Sequence, residues 1–400
     1  MQHRIVVLGA GYSGAIAAGR LAKRLYRADV TITLVNAEPD FVERVRMHQL
    51  ATGQDLKHRP FRELFAGTDV VLKLAKVTGV DVDRKTVAVV GADGAKELEY
   101  DTLVYALGSG WNAQGVPGTA EHAYELASRP GAVRLRERLT HLQAGQTVTV
   151  VGGGLTGLET VTEIADARPD LDITLAVRGD LGDWLSPKGR RHLRKVVDKL
   201  GITVHEQAAV TGVEADHVTT ADGQTIPAAV TVWTAGFAVH PIVQATALEV
   251  TDTGRIVVDG TMRSVSHPDV YAIGDAAFAM GAKNTPLRMS CASGQPMAWQ
   301  AADSIAARLT GGKLPHAPLF YFNQCISLGR KEGLIQYVTT DDRAVNAALT
   351  GRFAAVYKEL ICKGAAWHVA NPMLGLPTRR RHTLRMDYPI RAEMDRAPGH

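Results

Sequence analysis

The sequence predicts an α/β fold made of two similar units, each a parallel sheet with covering helices, followed by a smaller C-terminal region. Two glycine clusters carry this expectation. Gly9-Ala10-Gly11-Tyr12-Ser13-Gly14 follows the apolar run 4–8 and opens a helix of small residues over 15–25. Gly152-Gly153-Gly154-Leu155-Thr156-Gly157 follows the apolar run 147–151 and opens a second helix over 158–167. Strand, glycine turn and helix, in that order, are the context a dinucleotide fingerprint requires. The first glycine makes the tight turn, the second admits a pyrophosphate to the backbone, and the third packs helix against strand. The helix N-terminus then offers free N–H groups and a positive dipole end to phosphates. Two such sites imply two bound dinucleotides, with electrons passing between them.

The remaining elements follow in chain order. The first unit ends in the strand 30–36, with Asn36 at its end and Glu38 two residues on. A polar, extended segment runs to about residue 78, and strands joined by turns fill 80–90. Ala92-Asp93-Gly94 suits a hairpin turn. The strand 102–107 ends at Gly108, and the Pro- and Gly-bearing stretch 115–118 suits a crossing between domains. The second unit starts near Gln146 and closes at 173–177. A helix over 188–200, a strand over 202–205 and another over 229–235, ending at Gly236, extend it. A short strand, 270–273, ends at Gly274-Asp275, and a long helix runs from about Gly294 to Arg308. After Gly311-Gly312 come strand-like pieces at 320–328 and 334–338, a helix near 352–362 and an arginine-rich end.

Bulk properties exclude several classes. A chain of 400 residues exceeds what one core usually serves, so two or three domains are expected. No apolar stretch is long enough to span a bilayer. Met1 leads almost directly into the first strand, which leaves no room for a signal peptide and points to the cytoplasm. Cys291, Cys325 and Cys362 are the only cysteines and lie far apart, so no disulfide framework is expected and each reads as an inert core residue. No cysteine or histidine spacing suggests a metal site. Of the net charge of +4, residues 350–400 supply +5 and the rest of the chain −1. The surplus belongs to the tail, and nucleic acid is not an expected partner.

These motifs together resemble the two-dinucleotide flavoproteins, and among them the single-subunit type II NADH:quinone dehydrogenases. The resemblance spans about residues 1–310. It rests on the segment Gly152 to Glu163 with Thr156 and Glu159, on Leu107 to Gly118 with Gly108, Asn112 and Pro117, on Thr234-Ala235-Gly236, and on Ala272 to Asp275. It implies that the first fingerprint holds FAD and the second NAD(P)H, with the NAD(P)H domain (116–259) inserted in the FAD domain (1–115 and 260–312) and a C-terminal α+β region over 313–400. On this resemblance Gly9, Gly11, Tyr12, Ser13, Gly14, Gly274 and Asp275 serve FAD, and Gly152, Gly154, Leu155, Thr156 and Gly157 serve the nicotinamide cofactor. Val77, Gly108, Asn112 and Gly236 are further cofactor-binding residues on the same resemblance. Glu159 is read as lying in the first turn of its helix, beside nicotinamide and flavin, where it orients the carboxamide; Glu163 reads as a packing residue. The helix after the first fingerprint lacks the cysteine pair of flavin disulfide reductases.

Several departures bear on function. The FAD unit ends in Asn36 and Glu38, either of which suits the adenosine ribose. The second unit ends in Val177-Arg178-Gly179 where an NADH site carries an acid, so Arg178 points to NADPH, or to use of both NADPH and NADH. Gln295 keeps part of a segment shared by quinone reducers, but Cys291 and Pro296 interrupt it. Gln295 reads equally as an acceptor contact or a helix cap. His48 stands in a region that passes near the flavin, where a group titrating near neutrality suits proton delivery. The acceptor is read as a quinone or another small organic molecule. A flavin reductase serving a protein partner or a biosynthetic modification, and a nucleotide-sensing flavoprotein like apoptosis-inducing factor, are the alternatives. Phe353, Val356, Tyr357, Leu360 and Ile361 share one helical face ahead of Arg379, Arg380 and Arg381. The stripe is expected to pack on the protein's own core or a second subunit, as in a homodimer. Peripheral contact with the inner face of a membrane is the other reading.

Overall fold

The computed structural model describes residues 2–315, 318–376 and 378–384. Its first sheet has seven strands. Val270–Ala272, Thr102–Tyr105, His3–Leu8, Val30–Asn36 and Val70–Asp81 lie parallel in that spatial order. The antiparallel strands Thr86–Gly91 and Gly94–Glu99 extend its far edge. A second sheet of five parallel strands orders Thr203–His205, Asp172–Ala176, Thr147–Val151, Val230–Trp233 and Ala123–Glu125. Val270–Ala272 returns to the first sheet after the whole second sheet has been laid down.

Both fingerprint helices sit against their strands by the same device. Gly9 and Gly152 hold positive φ values of 89° and 122°, which turn the chain off the strand. A Cβ on Gly14 would stand 1.9 Å from the Gly9 carbonyl oxygen, and one on Gly157 would stand 1.8 Å from that of Gly152. Only hydrogen fits at either contact. The helices themselves run Tyr12–Arg24 and Leu155–Ala167, starting three residues earlier than the small-residue runs imply. Neither N-terminus has a side-chain cap. Their leading N–H groups are therefore free for a ligand.

The C-terminal region is an antiparallel sheet, Asn323–Ser327, Gly333–Val338 and Ala344–Thr350, followed by the helix Arg352–Ala370. It touches both halves. Gln336, fully buried, accepts from the Ser186 backbone N–H (3.0 Å) at the start of the helix Pro187–Lys199. Its Nε2 donates to the carbonyls of Tyr337, Val345 and Ala347. The C-terminal helix leans instead on the first half, where Pro372 fills the space above Gly19 and its carbonyl accepts from Arg20 (2.9 Å).

Two expectations are corrected here. The helix after Gly274-Asp275 starts at Cys291, capped by Ser290, and continues through Pro296 to Thr310. Pro296 is the sixth residue of this helix and removes one i→i−4 bond, to the Ala292 carbonyl, without ending it. The C-terminal helix packs through its small side chains, Ala354, Cys362, Ala365 and Ala366, because both the first fingerprint helix and the strand Gly333–Val338 come close. The apolar stripe therefore faces outward: Phe353 is 79% exposed, Val356 59% and Leu360 62%. It does not cover this chain's core. The arginines have also left it, since Arg380 pairs with Asp69 (3.2 Å) and Arg381 bonds through its backbone to Arg24 and Tyr26.

Gln336→Leu preserves volume but orphans the Ser186 N–H and several carbonyl contacts. A loss of about 1–3 kcal/mol is expected. It should appear as a lower midpoint in thermal unfolding, with the isolated secondary structure content unchanged at low temperature.

Candidate functional site

One cavity of about 1830 Å³ runs between the two sheets and under the C-terminal helix. Small-molecule sites occupy about 300–1,000 Å³, so this space suits more than one ligand at a time. Both fingerprints open onto it, as do Gly108, Gly236, Gly274 and Asp275.

At the first fingerprint, Gly11, Tyr12 and Ser13 line the wall, while Gly9 and Gly14 form the packing contact behind it. The Asn36 Oδ1 accepts from the Ala10 N–H (3.0 Å) and its Nδ2 donates to the Glu38 carbonyl (2.8 Å). Asn36 thus holds the loop, and the Glu38 carboxylate stands exposed at the cavity with no partner among the described residues. The Asp275 Oδ2 accepts from the Ser109 hydroxyl (2.6 Å). Arg44 donates to the same hydroxyl (3.3 Å) and lies over the Phe237 ring, 5.4 Å from its centroid. Burial lowers the Arg44 pKa from its usual value, and no carboxylate lies within ion-pair distance of it among the described residues. The sequence reading missed Arg44 because nothing local marks it. Two expected cofactor contacts lie off the wall. Val77 is buried in the first core, and Asn112 uses its carbonyl to accept from the Trp233 indole (2.8 Å) and its side chain to cap Gln114.

At the second fingerprint, Gly152, Gly154, Leu155, Thr156 and Arg178 line the wall, and Gly157 packs behind. The two crossovers meet as an antiparallel pair, Ser109–Trp111 with Phe237–Val239. Gln114 donates to the Ala235 carbonyl across that join.

Between the fingerprints stands a buried ion pair. The Lys358 Nζ lies 2.9 Å from the Glu159 Oε1, which also accepts from the Ser327 N–H (3.1 Å). Lys358 donates in addition to the Cys325 carbonyl (3.1 Å). Burial pulls the two groups toward neutrality, but their mutual attraction wins. Glu159 stays below the ordinary carboxylate range and Lys358 above the ordinary ammonium range. This corrects the reading of Glu159 as a first-turn residue, because the helix begins at Leu155 and has no acid in its first turn. His48 sits beside the pair, with Nε2 3.4 Å from the Ser327 hydroxyl. Burial pushes its pKa down to about 4, so it is neutral at physiological pH. Arg46, bonded to Glu359 (2.8 Å), ties the segment carrying His48 to the C-terminal helix.

Gln295 lines the same wall but does not cap a helix. Its Oε1 lies 3.0 Å from His368 Nδ1 and its Nε2 3.4 Å from the Ala365 carbonyl, so it joins the two long helices. Glu163 accepts from Gln54 (2.6 Å) and Arg330 (3.3 Å) and braces the scaffold. All three cysteines reach the cavity wall rather than a closed core. Burial raises Cys325 to about 12 and Cys362 to about 11, which keeps both thiols un-ionised and weakly reactive. No helix among the described residues is long and apolar enough to cross a membrane.

The residues fit a flavin dinucleotide. An uncapped helix end suits a diphosphate, Arg44 supplies a half-buried cation with no ion-pair partner among the described residues, and Asp275 and Glu38 suit hydroxyls. The family model for pyridine nucleotide-disulphide oxidoreductases matches residues 3–306. An NADH dehydrogenase-like protein of Mycobacterium tuberculosis is 30% identical over 321 residues, covering 74% of this chain and 78% of its own length. The demethylphylloquinone reductase of Synechocystis is 25% identical over 370 residues, covering 89% and 92%. Among solved structures, NDH2 of Plasmodium falciparum in complex with NADH aligns over 94% of this chain and 98% of its own, with a TM-score of 0.77 at 15% identity. Paired glycine cradles on two parallel sheets, a shared cavity and these likenesses lead to one assignment: the chain belongs to the pyridine nucleotide-disulphide oxidoreductase family and is an oxidoreductase.

Proposed function

We propose that this chain takes a hydride from NAD(P)H, held by the second fingerprint, and delivers two electrons to a quinone through FAD held by the first. The supporting observation is the shared cavity, onto which both uncapped helix ends open. The flavin would supply the redox chemistry when bound, and the protein supplies binding, orientation and electrostatics. Glu38 and Asp275 hold hydroxyls of the first cofactor, and Arg44 holds its diphosphate. Glu159 keeps an ionised carboxylate at the junction of the two cradles and orients the nicotinamide carboxamide. Lys358 holds a proton at Nζ beside that junction and keeps the carboxylate charged. His48, neutral, offers a ring nitrogen as hydrogen-bond partner rather than an acidic proton.

The mouth of the cavity supports an apolar acceptor. Phe320 (56% exposed), Phe322 (60%) and Leu360 line it and continue into the exposed stripe of the C-terminal helix. Such a surface suits the outer layer of a bilayer, from which a lipid-soluble quinone enters. The purified protein should be yellow, bleach with NAD(P)H under argon and recolour on addition of a quinone. Bleaching without recolouring by any quinone would overturn the acceptor assignment, and a colourless protein that takes up no FAD would overturn the whole.

The Glu159–Lys358 pair makes a pH prediction. A carboxylate held below its usual value contributes stability above the unfolded pKa and loses it as pH falls through the lowered one. An ammonium held above its usual value contributes below the unfolded pKa and loses it as pH rises through the raised one. Both contributions are intact across the neutral range, so flavin bleaching should be flat from about pH 6 to pH 9. In Lys358→Met the burial penalty on Glu159 is no longer opposed. Its pKa should rise, the bleaching rate should fall on the acid side of neutrality, and stability should drop by about 3 kcal/mol.

The apolar stripe makes another. Phe353→Glu with Val356→Glu should cut co-sedimentation with phosphatidylglycerol vesicles by about tenfold or more. Equal sedimentation of the variant and the parent would remove the membrane from this reading.

A further inference from the structure

We propose that the second cradle selects NADPH over NADH, and that Arg178 is the selecting residue. The proposal rests on the reading that this cradle takes a nicotinamide cofactor. The two cradles of this one chain supply the argument, because they can be compared position by position. In the first, the strand Val30–Asn36 ends and the residue two further on is Glu38, exposed at the cavity. In the second, the strand Asp172–Ala176 ends and the residue two further on is Arg178, also exposed at the cavity. This is where such a unit meets the adenosine ribose. The Gly9 N–H bonds to the Val35 carbonyl and the Gly152 N–H to that of Ala176, so by register Arg178 stands one residue before the counterpart of Glu38. The turn after the second strand therefore carries a carboxylate in one cradle and a guanidinium in the other. A carboxylate accepts from a 2′-hydroxyl and repels a 2′-phosphate, and a guanidinium does the reverse.

The local structure fixes Arg178 there. Asp172–Ala176 pairs in parallel with the strand that leads into the second fingerprint. Val177 then packs on the glycine turn itself, since a Cβ on Gly153 would come within 2.8 Å of Val177 Cγ1. Backbone bonds hold Val177 on both sides: its N–H donates to His205 (2.9 Å) and its carbonyl accepts from Ala208 (2.8 Å). Arg178 is the next residue, so its backbone is set beside the fingerprint.

Two of the acids nearby, Glu206 and Asp180, are committed elsewhere. Glu206 accepts from the Leu181 N–H (2.7 Å) and pairs with Arg194. Asp180 accepts from Gln207 Nε2 (2.8 Å), and the Asp183 carboxylate lies over Gly179. Among the described residues no hydrogen bond or ion pair engages the Arg178 guanidinium. Its planar fork of donors is free, and it matches phosphate oxygens bidentately where a hydroxyl offers one neutral acceptor.

Calorimetric titration of the purified holoprotein tests this with four probes: NADP⁺, NAD⁺, 2′,5′-ADP and 5′-AMP. NADP⁺ should bind more tightly than NAD⁺, and 2′,5′-ADP more tightly than 5′-AMP. Arg178→Ala should reduce each ratio about 10- to 100-fold, the loss of one charge-assisted contact, and Arg178→Lys should restore part of it. The ratio of kcat/KM values for NADPH and NADH should fall in parallel. A parent protein that binds NAD⁺ as tightly as NADP⁺, or an Arg178→Ala variant with unchanged ratios, overturns the proposal. Failure of both full dinucleotides to bind would overturn instead the assignment of the second cradle to a nicotinamide cofactor, and this proposal with it.

Discussion

A single buried ion pair, Glu159 with Lys358, joins the parts of this molecule that matter for its chemistry. Glu159 comes from the second fingerprint helix, Lys358 from the C-terminal helix, and the Ser327 N–H that completes the carboxylate's shell from the C-terminal sheet. An isolated charge at this depth would be expelled or neutralised, so each group demands the others. The demand is geometric. The C-terminal helix must lie close enough for an ammonium to reach a carboxylate rooted in the other half of the protein. Gln336 pins the C-terminal sheet to the second half, and Arg20 with Pro372 pins the helix to the first. The C-terminal region thus works as a brace, holding two cradles at a fixed separation across a common cavity. Hydride transfer needs that fixity, because a small misplacement of reacting rings is costly in rate.

The cavity itself follows from topology. The chain builds most of one parallel sheet, leaves it, builds a second, and returns to insert Val270–Ala272 beside Thr102–Tyr105. Each sheet carries its fingerprint at the carboxyl end of its strands, which is where open α/β sheets bind ligands. The crossovers are stitched together by the pairing of Ser109–Trp111 with Phe237–Val239, so the two carboxyl ends open onto one space. Arg44 stands at that join, near Asp275 and over Phe237.

What could be read from the sequence divides by range. Glycine spacing, strand periodicity and the residues at strand ends are local, and both cradles with their turns were legible from them. Glu159 was singled out from its motif, yet its partner was not. A signal for Lys358 was nonetheless present. Ala354, Lys358, Cys362, Ala365, Ala366 and Val369 recur at helical spacing, and the face they make is the packed one. A lysine on a stripe of small residues needs a buried counter-charge, but the bulkier stripe beside it is the stronger periodic signal. Arg44 and Gln336 left no such trace, since the contacts that tie them across the molecule, to Ser109, Phe237 and Ser186, are distant in sequence and neither residue belongs to a local pattern. Val77 and Asn112 failed for the opposite reason. A family pattern fixes which residues lie near a site, but not which way each side chain turns.

The C-terminal helix inverts the usual division of labour in a surface helix. It packs through alanines and cysteine and exposes phenylalanine, valine and leucine. Close approach explains the inner face: small side chains let the helix settle against the first fingerprint helix, where Gly19 receives Pro372. The outer face has no partner among the described residues, and it merges with Phe320 and Phe322 at the cavity mouth. Arg380 and Arg381 do not rim this surface, because Asp69 and the backbone near Arg24 draw them back to the first half. A greasy entrance therefore leads inward to a charged centre. An acceptor entering by that route is selected twice, by an apolar body that tolerates the mouth and by a polar end that can meet Lys358, Gln295 and His48. A ring bearing carbonyl oxygens on an apolar frame satisfies both filters, whereas a hydrophilic acceptor satisfies only the second.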